Sequence, residues 1–249
     1  MHAKISLGLL ALVFSFSTVA QAEQKPAPGK QVEQQFVDSK DKSLKIGYLL
    51  FLPKEVSQQK GKRPLILFLH GSGERGNDNL PLVAVHGPPM IAKKNADFPF
   101  VVVSPQCPSE QRWDSKVLLA LLDDVIASHD VDPQRIYLTG LSMGGYGSWM
   151  LAAAAPNRFA AIVPICGGGN PEDAGKLKSL PIWVFHGAKD SAVSLKKSEE
   201  MVAALKKVGS DVKFTVYPNA GHNSWTATYD NPKLYEWLLK QKTASKSKE

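Results

Sequence analysis

Six apolar runs recur along the chain: PLILFLH (64–70), FVVVSP (100–105), RIYLTG (135–140), AAIVPIC (160–166), PIWVFHG (181–187) and VKFTVYP (212–218). Most are continuously apolar rather than alternating, as strands buried on both faces must be, so they predict a largely parallel sheet covered by helices. Helical periodicity marks SKVLLALLDDVIASH, GGYGSWMLAAAA, SLKKSEEMVAALKKVG and PKLYEWLLKQK between and after them. In the third of these, Met201, Ala204, Leu205 and Val208 share one face with Lys and Glu opposite. Upstream, QQFVD and LKIGYLLFLP flank the turn-like SKDKS and predict an antiparallel hairpin. The order strand, helix, strand, helix implies one doubly wound α/β domain over residues 35–242. A polar, Pro-containing linker at 23–34 has nothing to bury, and a basic tail follows at 243–249.

The first 22 residues stand apart from this pattern. His2 and Lys4 precede an apolar stretch from Ile5 to Ala20, then the small-residue site Ala20-Gln21-Ala22. That three-part arrangement is a secretory signal peptide with cleavage after Ala22, and the stretch is short and polar for a membrane span. The expectation is an exported protein, secreted or periplasmic, without a membrane anchor. The chain of 249 residues carries 30 Lys and Arg against 23 Asp and Glu, a net charge of +7. The excess is scattered, with short runs at Lys196-Lys197 and Lys206-Lys207, which reads as solubility rather than a nucleic-acid surface. Two cysteines, Cys107 and Cys166, are too few for a disulfide scaffold, and no Cys/His spacing suggests a metal. The expectations are therefore no metal, no cofactor, and a small molecule as partner.

Chemistry concentrates in RIYLTGLSMGGYGSW. A strand runs directly into Gly140-Leu141-Ser142-Met143-Gly144 and then into a helix of small residues, the pattern of a nucleophile elbow. So tight a turn strains the serine and tolerates almost no side chain at its flanks, which is why glycine stands at both. The helix N-terminus behind it offers free amides to a developing oxyanion. A serine hydroxyl needs a base and the base an orienting acid. Asp190 follows the strand in PIWVFHGAKD, and His222 follows the next strand in VKFTVYPNAGHNSW, in the chain order this constellation requires. Asp211 and Asp173 are poorer acids, one preceding its strand and the other in a surface loop. His70 and His186 each end a strand as His-Gly and are read as turn supports, and His86 and His129 as surface or packing residues.

These features resemble the α/β-hydrolase family over nearly the whole domain. LHGSGERG, GLSMGG, HGAKD and AGHNSW are most similar to small secreted esterases related to dienelactone hydrolases, carboxylesterase and phospholipase-type acyl hydrolases, feruloyl esterases and polyhydroxyalkanoate depolymerases. The resemblance implies Ser142 as nucleophile, Asp190 as acid and His222 as base, with the amides of Met143 and Ser72 as oxyanion donors. It implies a small-molecule ester as substrate. Dienelactone hydrolases proper carry cysteine at the nucleophile position, where this chain has serine. A prolyl-oligopeptidase-like peptidase shares the fold and site but usually adds a propeller domain, for which this length leaves no room. A non-catalytic binding module on the same fold is the third reading, and the intact Ser142, Asp190 and His222 weigh against it.

Two further expectations concern the surroundings of the site. Gly71-Ser72-Gly73-Glu74-Arg75-Gly76 fits G-x-G-x-x-G, yet a dinucleotide needs a helix opening at the third glycine, and NDNLPLVAV follows instead. GGGNPEDAGKLKS (167–179) is too short for a helical lid, so an open pocket without interfacial activation is expected. Trp225, three positions after His222, and Trp113, after FVVVSP, are the candidate substrate-binding aromatics at its rim. Fold-level analogy puts Cys107 and Cys166 three strand spacings apart, too far to bridge, so both should be free thiols.

Overall fold

The computed structural model describes residues 26–54 and 61–243. The signal-peptide stretch 1–22, the first linker residues and the tail beyond residue 243 lie outside the described residues. Eight strands form one sheet: β1 (Gln31–Val37), β2 (Lys45–Phe51), β3 (Arg63–Leu69), β4 (Val101–Pro105), β5 (Val131–Leu141), β6 (Ala161–Ile165), β7 (Trp183–Gly187) and β8 (Lys213–Tyr217). Their order is β1-β2-β4-β3-β5-β6-β7-β8. The hairpin β1–β2 is antiparallel, with Gln31 opposite Phe51, and β2 is antiparallel to β4. Every pairing from β4 across to β8 is parallel. Strand β1 begins at Gln31, so residues 31–34, expected as linker, belong to the sheet. The sequence QVEQQFV alternates about Val32 and Phe36, which are buried while polar neighbours face water, as in an edge strand with one covered face.

The continuous apolar runs follow from burial on both faces. Along β3, Leu65, Leu67 and Leu69 enter one core cluster while Ile66 and Phe68 enter the other. The first cluster lies beneath α2 (Ser115–Ser128), α3 (Met143–Ala154) and α4 (Lys196–Lys207), through Leu118, Leu121, Leu151, Met201 and Leu205. The second lies beneath α1 (Gly87–Lys94), α5 (Trp225–Tyr229) and α6 (Pro232–Leu239), through Ala92, Tyr229, Leu234 and Leu238. Asp114 caps α2 by accepting from the Lys116 and Val117 amides, and Asn231 caps α6 by accepting from the Lys233 amide. No helix among the described residues is long and apolar enough to cross a membrane.

Two elements go beyond the pattern read in the sequence. Leu80–Val85, which contains Pro81, forms a 3-10 segment, and Gly87–Lys94, which contains Pro88 and Pro89, forms a helix left unassigned in the sequence. Each proline sits in a first turn, where its missing amide has no intrahelical acceptor to lose. Between β6 and β7 the chain makes only a 3-10 turn, Pro171–Gly175, as the short 167–179 segment led one to expect. The parallel order separates the end of β4 from the end of β6 by β3 and β5, and Cys107 and Cys166 are both buried free thiols. Burial pushes the first up to about 11 and the second to about 12, so neither is a thiolate at neutral pH.

Candidate functional site

Strand β5 delivers Ser142 to the C-terminal edge of the sheet, and α3 begins at the next residue. Ser142 has φ 52° and ψ −116°, a left-handed conformation that a side chain adopts only under constraint. The constraint is backbone crowding. A β-carbon on Gly140 would lie 2.3 Å from the Gly144 carbonyl oxygen, and one on Gly144 would lie 1.8 Å from that of Leu69. The turn therefore closes only with glycine at both flanks. Met143, as the first residue of α3, and Ser72, as the first of the 3-10 turn Ser72–Glu74, have amides with no intrahelical acceptor. Gly71 brings the second of these alongside, since a β-carbon there would lie 3.7 Å from Ser142 Cβ.

Strands β7 and β8 supply the other two residues. Asp190 follows β7, and His222 lies in the loop after β8. Gly187 lets these loops meet, as a β-carbon on it would lie 2.1 Å from the Gly221 carbonyl oxygen. His222 Nε2 is 2.9 Å from Ser142 Oγ, and His222 Nδ1 is 2.8 Å from Asp190 Oδ2. The Asp190 side chain is fully buried, whereas that of His222 is 28% exposed. Burial alone would raise the Asp190 carboxyl, but hydrogen bonds from His222 and from the Val193 and Ala192 amides outweigh it and hold the group below the usual carboxylate range. An ionised Asp190 accepts from Nδ1–H, which leaves the Nε2 lone pair facing the serine hydroxyl.

Both His-Gly histidines support turns as expected, and both turns belong to this site. His186 is buried, with Nδ1 2.8 Å from Ser198 Oγ and Nε2 2.9 Å from the Val193 carbonyl and 3.2 Å from Asp190 Oδ2. It props the acid loop from beneath. His70 Nδ1 donates to the Gly71 carbonyl at 2.5 Å, and its Nε2 accepts from the Cys107 amide at 2.9 Å. It thus fixes the Gly71–Ser72 loop as a neutral ring. Burial pulls it down to about 4, the Gly71 hydrogen bond opposing only in part.

Trp113 is only 7% exposed and stands edge-on to His70 at 4.8 Å, so it is a buried wall rather than a rim residue. The Trp225 ring is 5.3 Å from His222 and 5.5 Å from His86, between the two. Sequence reading missed this side of the site. Glu74, two residues after Ser72, lies 3.9 Å from both His70 and His86, and its Oε2 is buried without a hydrogen-bond partner among the described residues. The GERG string was the available signal. A cavity of about 480 Å3 opens beside α3, lined by Met143, Tyr146, Met150, Trp113 and the 168–177 segment. The Tyr146 phenol is raised first by burial and then by the charge of Asp190, which places the cavity wall within electrostatic reach of the acid. Cys166, Asp190 and His222 could offer ligand atoms within 4.8 Å of one another. The thiol, pushed up to about 12, is protonated, and Nδ1 is engaged by Asp190, so a metal would have to dismantle the relay.

The sequence model of the Dienelactone hydrolase family matches residues 29–236. A thermostable esterase of known structure is 34% identical, with a TM-score of 0.72 over 85% of this chain and 63% of that one. Poly(3-hydroxyalkanoate) depolymerase C of Paucimonas lemoignei is 30% identical over 115 residues, 42% of this chain and 28% of that protein. The bifunctional acetylxylan esterase/xylanase XynS20E of Neocallimastix patriciarum is 27% identical over 191 residues, 70% of this chain and 26% of that protein. The chain thus spans about a quarter of the length of these two curated relatives.

The neutral burial of His70 has a measurable consequence. The folded chain keeps it neutral down to about pH 4, whereas an ordinary histidine protonates near 6.5, so its contribution is full above that value and is lost as the pH falls toward 4. The destabilisation caused by His70→Asn, read from urea unfolding, should be largest at pH 7.5 and shrink by on the order of 2–3 kcal/mol toward pH 4.5. A penalty independent of pH would show that the ring is not held neutral.

Proposed function

The chain belongs to the dienelactone hydrolase family, and we propose that it hydrolyses carboxylic esters through an acyl-enzyme formed on Ser142. The observation that carries this reading is the relay from Ser142 Oγ through His222 to the buried Asp190. Ser142 Oγ attacks the ester carbonyl while His222 Nε2 takes its proton. The carbonyl oxygen, now negative, is received by the Met143 and Ser72 amides, which need no reorganisation to meet it. Collapse expels the alcohol with the proton returned from His222, and water then repeats the sequence against the acyl group. Asp190 holds His222 in the tautomer that accepts from serine and stabilises the imidazolium that forms. The esterases and the depolymerase among the similar proteins act, by their names, on ester bonds, which agrees with this chemistry. Export forms part of the same proposal and rests on the pattern from His2 to Ala22.

Ser142→Ala should leave folding intact and lower turnover of a soluble ester by at least about a thousandfold, in keeping with losses of nucleophiles that act within such a unit. Retention of more than that residue of activity would contradict nucleophilic catalysis by Ser142. N-terminal sequencing of the protein recovered after export should begin at Glu23, and a start at Met1 would remove the signal-peptide reading.

A further inference from the structure

We propose that the cavity beside α3 is an acyl groove that fits an unbranched aliphatic chain of medium length. The inference rests on the reading of Ser142 as nucleophile and extends it to the substrate. Met143, Tyr146, Gly147, Met150, Ala153 and Ala154 line the cavity, and their spacing of three and four puts them on one face of α3. The groove therefore runs along the helix axis, from the residue next to Ser142 to the far end of the helix. The ten helical rises from Met143 to Ala153 span about 15 Å. The facing wall is the Gly168–Leu177 segment, joined by Met201 of α4.

The chemistry of this face is unusual for an outer helix surface, which is ordinarily polar. The inner stripe of α3 already meets the sheet through Gly144, Ser148, Leu151 and Ala152. Yet Tyr146 and Met150 are 38% and 37% exposed on the other side. Met143, Met150 and Met201 give the groove flexible thioether walls that adapt to a methylene chain. The walls also come close together. A β-carbon on Gly168 would lie 3.1 Å from Tyr146 Cε1, and one on Gly169 would lie 2.9 Å from Trp149 Cβ. Glycine at these two positions lets the segment pack directly on α3 along the groove's edge. A volume of about 480 Å3 is in the range of small-molecule sites.

The two sides of the ester are distinguished by proton transfer. The departing alcohol takes its proton from His222 Nε2 and so leaves on the side of His222, Trp225 and His86. The groove is lined by no residue of that loop or of α5, and its lining reaches Met143, the residue next to Ser142 in the chain. The acyl chain is the part of the substrate that lies that way.

A homologous series of p-nitrophenyl esters from acetate to dodecanoate, below their solubility limits, tests this on the full chain. The expected kcat/KM rises at least about tenfold from acetate to octanoate or decanoate, since each methylene buried adds affinity. Ala153→Trp should lower the decanoate-to-acetate ratio at least about tenfold by filling the distal half. Should that variant fail to fold, Met150→Lys gives the same reading through a charge placed on the path. A wild-type profile that is flat or falls beyond acetate would overturn the groove while leaving ester hydrolysis by Ser142 standing. An unchanged ratio in the folded variants would do the same. Failure of the wild-type chain to cleave any member of the series would instead remove the Ser142 reading, and the groove with it.

Discussion

The contact between the first turn of α3 and the ends of the central strands sets the geometry of everything around it. Gly144 presses so closely on the Leu69 carbonyl that a β-carbon would stand 1.8 Å from it, and Gly145 is similarly placed against the Ile165 carbonyl at 2.4 Å. The helix is thus wedged between the ends of β3 and β6, directly over β5. With the helix seated there, the single residue joining it to β5 has no relaxed conformation, and Ser142 takes φ 52°. The strain is held by two helix-covered faces of core and not by the turn itself. The same seating brings the amide of Met143 to the sheet edge and starts the groove that runs along the outer face of α3. The strained Ser142, the free Met143 amide and the start of the cavity are three consequences of one close approach.

The remaining residues are held by loops that support each other. Asp190 accepts from two amides of its own loop and from His222, and His186 stands beneath the same carboxylate oxygen. His186 in turn contacts Ser198, whose hydroxyl donates to the Gly167 carbonyl. The acid loop is therefore tied to α4 and to the end of β6, so the position of His222 depends on packing well away from the reacting atoms. His70 plays the corresponding part for the Gly71–Ser72 loop, linking it to the Cys107 amide just after β4. Two buried, hydrogen-bonded imidazoles thus fix the loops that carry Ser72 and Asp190.

Much of this was legible because it is local. Apolar runs long enough to be buried on both faces fixed the parallel sheet, and each residue of the Ser142, His222 and Asp190 relay stands immediately after such a run. Chain order and strand ends were enough to bring them together. The separation of Cys107 and Cys166 followed from the same topology. What escaped depended on tertiary context. The polar strand β1 resembled a linker because half of its positions face water. The helix Gly87–Lys94 went unmarked because it is only eight residues long and opens on Gly87, Pro88 and Pro89. Trp113 was expected at the rim, but its burial depends on His70 and α3. The groove could not be foreseen, since it is the space between one helix face and a segment distant in sequence.

On the proposed mechanism, Ser142 is the hydroxyl activated for attack among the described residues. Incubation of the purified protein with a fluorophosphonate, followed by peptide mapping, tests it most directly. The account predicts one phosphonyl adduct per chain, carried by the peptide that contains Ser142. The absence of any adduct, or an adduct on another residue such as Ser72, would contradict it.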